Sequence, residues 1–253
     1  MSGRCCPAWH DEITRTIIPS SRAIDYQDNL PKMANSNTCI LGYDPGGDGK
    51  HGVAVLHLQD QVPTKIDTLT LPTTEAVIEY FSNIENIHAI GVDTLTCWST
   101  GPGGWRPADR WLRKMYPQVA PSVVTPNGLF GSMGLNGPSV VLECQAVNPA
   151  LIVTESHPKV LHWHLAGKKY DFVGDNGRMV ELLSGLLQVS VEATTDHAWD
   201  AALSAFAAFA AFQGCYGDWD NDLHRLPTEA NERIVSPCGT THYFWPRNLH
   251  VKQ

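Results

Sequence analysis

Positive charge is what this chain is short of. Its 253 residues hold 18 Lys plus Arg against 26 Asp plus Glu, a formal net charge of −8, whereas a non-specific duplex binder presents a basic face. Long apolar runs are missing as well. The greasiest stretch, Ala201 to Phe212, is interrupted by Ser204 and falls short of the ~18 residues that span a bilayer. The opening "MSGRCCPAWHDEITRTIIPSS" has no sustained apolar core of the kind a secretory signal needs. Cys5, Cys6, Cys39, Cys97, Cys144, Cys215 and Cys238 form no C-x-x-C pair, so neither a zinc ribbon nor a disulfide framework is indicated. A reducing, cytoplasmic setting with no membrane partner is the expectation. No repeat appears. The glycine-rich "PGGDGKHG" fails as a P-loop, because His51 rather than Ser or Thr follows Lys50.

What is present fits one sizeable core: 43% hydrophobic and 17% charged residues are ordinary for a globular chain. Residues 1–37 mix Pro, Ser and charges without periodicity and read as a flexible N-terminal arm, with Met33 a candidate alternative start. Residues 38–214 read as the domain, and 215–253 as an irregular C-terminal extension packed on it, with one edge-strand candidate. Within the domain, Cys39–Asp44, Gly52–Leu58 and Lys65–Leu71 form an antiparallel meander. A helix capped by Thr73 or Thr74 follows, then the apolar run "IHAIGVDT". Further helices are expected at Ala108–Tyr116, Val140–Val147, Pro158–Leu165 and Arg178–Leu187, with "ALIVTES" a fifth strand and residues 121–136 a loop. The clearest helix is "TTDHAWDAALSAFAAFAAFQG", stopped by Gly214. The pattern predicts a mixed α/β (α+β) fold, a five-stranded mixed sheet flanked by helices.

One strand layout gives the acids a common purpose. With the first strand central and the fourth and fifth parallel beyond it, Asp44, Asp93 and Glu155 end neighbouring strands at the carboxyl edge, where open α/β sheets bind ligands. Asp196 and Asp200 lie four apart, on one face of the last helix. Ala201, Ala202, Ala205 and Ala208, together with Gly42 on the first strand, leave room for that helix to approach the sheet. Carboxylates so gathered repel unless a cation sits among them, and an all-oxygen donor set suits Mg²⁺ or Mn²⁺. Each residue also has a plainer account. Asp44 and Asp93 are turn residues, Asp196 balances a helix dipole, and His157 caps a helix or touches substrate. Arg106, Arg110 and Arg113 either grip phosphate oxygens or form a solvated face. Trp98, Trp105 and Trp111 either stack bases or pack.

"GYDPGG", "GVDT" and "HAWDAALSAFAAF" together resemble the RNase H-like superfamily, the first and last being similar to the RuvC-type resolvase pattern. "ESHPKV" and "RPADRWLR" add a narrower resemblance to a family of predicted RNase H-like nucleases of largely unassigned function. The likeness spans roughly Cys39 to Phe212. It implies metal-ligand roles for Asp44, Asp93 and Asp200, with Asp196 or His197 in the variable place before the last. Resolvases carry glutamate where this chain has Asp93. Glu155 matches the narrower family alone, as ligand or water-orienting base. The resemblance implies a nuclease acting on DNA or RNA through a metal pair. Two alternatives stand beside it: an actin-like sugar kinase, whose second glycine-rich phosphate segment "VDTLTCWSTGPGG" imitates only loosely, and a catalytically silent protein-interaction module.

Overall fold

The computed structural model describes residues 37–213, 219 and 221–247. The N-terminal arm, the Gly214 helix stop and parts of the C-terminal extension therefore lie outside the described residues. Alternating apolar residues build β1 (Asn37–Asp44), β2 (His51–Gln59) and β3 (Val62–Leu71), joined by tight turns into a meander. The helix α1 (Thr74–Ser82) starts where the Thr73 hydroxyl accepts the Ala76 amide, and leads into β4 (Ile87–Val92). A short β5 (Trp98–Ser99) and α2 (Pro107–Met115) precede α3 (Gly131–Val147) and β6 (Ile152–Glu155). Then come α4 (Pro158–Ala166), α5 (Phe172–Leu187), α6 (Asp196–Gln213) and the two-residue strands β7 (Asn221–Asp222), β8 (Ile234–Val235) and β9 (Phe244–Trp245).

The sheet order is β3-β2-β1-β4-β6. β1 runs antiparallel to β2 and parallel to β4, and β6 continues the parallel half. This is the mixed five-stranded α/β architecture that the strand pattern predicts, with β1 at its centre. Alternation along β1 splits the core. Ile40 faces the side covered by α6, while Leu41 and Tyr43 face the side covered by α1 and α3.

Two helices start earlier than their sequence pattern predicts. The N-terminal half of α3 carries Gly131, Gly134, Gly137 and Pro138, none of them a helix former. Contacts from elsewhere hold it: the Asn136 amide donates to the Gly46 carbonyl at 2.8 Å, and Gly137 packs so closely on Thr94 that any side chain there would collide. α5 begins at Phe172, where the Asp171 carboxylate accepts the Gly174 amide, and Gly174 and Gly177 mask its start. The C-terminal chain closes the parallel edge of the sheet. β7 pairs with β9, β8 pairs with β5, and His242 bridges in parallel to Thr154. Among the described residues no helix is long and apolar enough to cross a membrane.

Candidate metal centre

The centre is built by the approach of α6 to the sheet. Gly52 on β2, Gly42 on β1 and Gly91 on β4 each meet its backbone. An added Cβ would strike the carbonyls of His197, Ala201 and Ser204 respectively. Gly42 and Gly91 are register partners, and Gly52 pairs with Asp44. The helix thus lies across three strands at backbone contact. Its N-terminus is held by Thr195, whose hydroxyl accepts the Ala198 amide at 3.0 Å and meets Thr70 of β3 at 2.8 Å.

Side-chain period does the rest. Asp44 is two residues beyond Gly42 and Asp93 two beyond Gly91, so both acids face the helix. The ladder continues past β4, since the Asp93 amide donates to the Tyr43 carbonyl at 2.9 Å. Asp200, on the inner face of α6, completes the group. Asp44, Asp93 and Asp200 each offer a carboxylate oxygen, and these three atoms lie within 4.8 Å of one another.

Electrostatics follow from that crowding. Burial raises the pKa of Asp44. Burial and then Asp44 push Asp93 well above the usual carboxylate range, and burial with Asp44 and Asp93 does the same to Asp200. Asp200 Oδ1 is buried without a hydrogen-bond partner, which is costly for a polar atom unless something occupies its lone pairs. Three hard oxygen donors, one of them orphaned, fit a Mg²⁺- or Mn²⁺-type ion. His197 Nδ1 is 2.6 Å from Asp44 Oδ2, and that bond raises the histidine's pKa. Asp196 is exposed. It accepts the His197 amide and stands 3.9 Å from His197 Nε2, so it supports His197 rather than joining the three acids.

Glu155 reaches the sheet edge but turns the other way. It pairs in register with Val92, so the β6 residue corresponding to Asp93 is Ser156, whose hydroxyl meets Ser204 of α6 at 2.7 Å. A one-residue difference in register puts a side chain on the opposite face. The expectation that Glu155 joins the other acids is thereby corrected. Its Oε1 instead takes the Thr96 amide at 2.6 Å, the Thr96 hydroxyl at 2.8 Å and Arg106 Nη1 at 2.7 Å.

The three arginines are likewise engaged. Arg106, 1% exposed, chelates Asp109 through Nε and Nη2 at 3.0 and 2.8 Å while holding Glu155, so it is closed off from a substrate phosphate. Arg110 pairs with Glu232 at 2.8 Å, and Arg113 donates to the Ala120 and Val123 carbonyls over the Trp105 ring. The Glu155 and Glu232 contacts come from segments distant in sequence, which the spacing of the arginines could not reveal. Trp105 and Trp111 pack against the core, whereas Trp98 stays exposed. His157 occupies the N-cap position of α4 without a capping bond, and burial lowers its pKa to about 4, keeping it neutral.

Two residues outside the predicted set matter. The Lys159 ammonium lowers the pKa values of Asp44, Asp93 and Asp200 alike, and sits 5.8 Å over the Tyr170 ring. The Tyr170 hydroxyl is in turn pushed up by burial and by Asp200. Lys159 was visible in the sequence as the lysine of "ESHPKV"; Tyr170 carried no signal.

Fold and site together define a mixed α/β protein with a three-aspartate centre at the carboxyl end of its sheet. No protein-family model matches the chain, and no curated protein does. Among solved structures it is similar to Thermus thermophilus RuvC at 15% identity and a TM-score of 0.39, over 70% of this chain and 98% of that one. It is similar at 18% identity and a TM-score of 0.42 to T. thermophilus RuvC in complex with Holliday junction substrate, over 70% of this chain and 96% of that one.

Proposed function

We propose that this protein is a divalent-metal-dependent nuclease whose ions are Mg²⁺ or Mn²⁺, held by Asp44, Asp93 and Asp200. The observation that carries the reading is the convergence of three aspartates from three separate elements, with Asp200 Oδ1 left unpartnered. The motif resemblance of "GYDPGG", "GVDT" and "HAWDAA" points the same way. Bound there, such ions would supply a water activated at neutral pH and charge neutralisation at a phosphodiester.

The chain's own groups have separable tasks. Asp44 is the shared donor, placed between β2 and β4 and oriented by His197. Asp93 and Asp200 complete the oxygen set from either side. His197, whose pKa the Asp44 carboxylate raises, can hold a proton at Nε2 near a leaving oxygen. Lys159 offers an ammonium to a substrate phosphate, as does the exposed Lys50, whose charge reaches His197. These cations bring positive charge to the aspartate centre of a chain that is acidic overall.

The test is a panel of labelled single-stranded and duplex DNA, RNA, an RNA–DNA hybrid and a branched junction, each with Mg²⁺, Mn²⁺ or EDTA. The reading expects cleavage of at least one substrate with metal, none with EDTA and none with Asp44→Asn. Cleavage that survives Asp44→Asn would remove it. An ATP-plus-sugar phosphorylation assay on the same preparation separates the kinase alternative.

A further inference from the structure

A second group of metal-binding side chains lies apart from the aspartates, on residues that the proposed nuclease chemistry does not use. Cys97 follows β4, Glu155 ends β6 and His224 belongs to the C-terminal chain, and each offers one ligand atom within 4.8 Å of the others. His224 Nε2 stands 3.2 Å from Glu155 Oε1 and 3.7 Å from Cys97 Sγ. Those are the spacings of neighbouring donors around a tetrahedral ion with bonds of about 2.0–2.3 Å.

The surroundings are arranged for it. His224 Nδ1 donates to the Thr241 carbonyl at 3.0 Å, which turns Nε2 toward Cys97 and Glu155 as the nitrogen that can ligate once its proton leaves. Metal-bound histidines are usually oriented by such a second bond. Glu155 is 0% exposed, and while its Oε1 is tied to Thr96 and Arg106, its Oε2 is buried with no hydrogen-bond partner. A cavity of about 280 Å³, lined by Cys97, Arg106, His224 and Thr241 among others, adjoins the group and gives an entry path.

We infer that Cys97, Glu155 and His224 form a second metal site, selective for a borderline-soft divalent cation such as Zn²⁺, with a fourth position open to the adjoining cavity. A thiolate–imidazole–carboxylate set favours zinc over magnesium, the reverse of the all-oxygen aspartate centre.

The Arg106 guanidinium beside Glu155 opposes a cation here, and its pairing with Asp109 offsets that charge. Arg106 is bidentate on Asp109, so that pair is neutral by itself. Without metal the remaining group is balanced as Glu155⁻ with His224⁺ and a neutral Cys97 thiol. With metal it is balanced as Glu155⁻, Cys97 thiolate, neutral His224 and a 2+ ion, because the ion's two charges replace the two protons that leave His224 and Cys97. The group is uncharged overall in both states, and a water molecule can take the fourth position at the cavity mouth. Proton and metal therefore compete at the same atoms. Burial alone would lower the His224 pKa, but Glu155 and Cys97 raise it to about 11. Among the described residues the other groups facing the site are Arg106 with Asp109, Cys238 and Tyr243 on the C-terminal chain, and Asp93 and His157 toward Glu155. Uptake should strengthen as pH rises, because binding releases the His224 and Cys97 protons.

The experiment titrates Co²⁺, then Zn²⁺, into the full chain carrying Asp44→Asn, which removes the aspartate centre. About one Co²⁺ per chain with a sulfur-to-cobalt absorption band is expected, displaced by Zn²⁺ and absent when Cys97→Ser is added, with far-UV circular dichroism confirming the fold. A band that persists in Cys97→Ser, or no band with Asp44→Asn alone, overturns the site. Should Cys97→Ser fail to fold, zinc-edge absorption on the otherwise intact chain decides. One sulfur at about 2.3 Å among nitrogen and oxygen ligands supports the site, and an all-oxygen shell or no bound zinc refutes it.

Discussion

Glu155 at the end of β6 and the three aspartates of β1, the β4 end and α6 lie at the same end of one sheet, and they are neutralised in opposite ways. Glu155 is met by a cation of the chain itself. Burial would raise its pKa, but Arg106 and His224 hold it well below the ordinary carboxylate range. Asp44, Asp93 and Asp200 have His197 and the more distant Lys159 for three carboxyls, and all three are raised. The difference teaches where each charge is meant to come from. A carboxylate with a built-in arginine keeps its charge from the moment the chain folds, with or without an ion. Carboxylates that must share protons are waiting for an ion.

The largest separation between the regions is in cleavage. Asp44→Asn or Asp200→Asn should cut metal-dependent cleavage by about a thousandfold or more, since several kcal/mol of transition-state stabilisation depends on the ion they hold. Initial rates on the most active substrate check this. Arg106→Met acts on the other region and on stability: it strands Asp109 as a buried, unpaired charge and leaves Glu155 with His224 alone as an ion-pair partner. A loss of about 3–5 kcal/mol is expected in denaturant unfolding.

Gly42→Ala tests the approach of helix to sheet rather than either acid. The methyl collides with the Ala201 backbone, so about 1–3 kcal/mol or more of stability should go. Metal affinity should fall with it, because Asp200 moves with α6.

The smallest effect is in pH. The raised aspartates favour the folded state while protonated. Their contribution is whole below the ordinary aspartate value near 4 and is lost as pH climbs through their raised values. In EDTA the melting temperature should therefore decline from mildly acidic toward neutral pH. Asp44→Asn should flatten the decline and raise the neutral-pH melting temperature by a few degrees. Glu155 works in reverse, contributing above the usual glutamate value and losing that only in strong acid. A melting curve that rises toward neutral pH in EDTA would break the contrast.

Most of the architecture was legible because its strands alternate cleanly and its long helix is nearly all apolar or small. The convergence of Asp44 and Asp93 could be reasoned from strand order. The facing of Glu155 could not, because it depends on the β4–β6 register that pairs it with Val92, and no local pattern fixes a parallel register. The arginines misled for a similar reason. "RPADRWLR" looks like a helix face offered to phosphate, yet Arg106 and Arg110 are claimed by Glu155 and by Glu232, 49 and 122 residues away. The first turns of α3 were hidden by glycines whose purpose is tertiary: Gly137 is there for Thr94.

The account stands on an exchangeable ion among Asp44, Asp93 and Asp200. Calorimetric titration of Mn²⁺ into the full chain tests it most directly, beside Asp44→Asn and Glu155→Gln. Binding that is lost in Asp44→Asn and kept in Glu155→Gln is the predicted result. Binding unchanged by Asp44→Asn, or none in the unaltered chain, would contradict it.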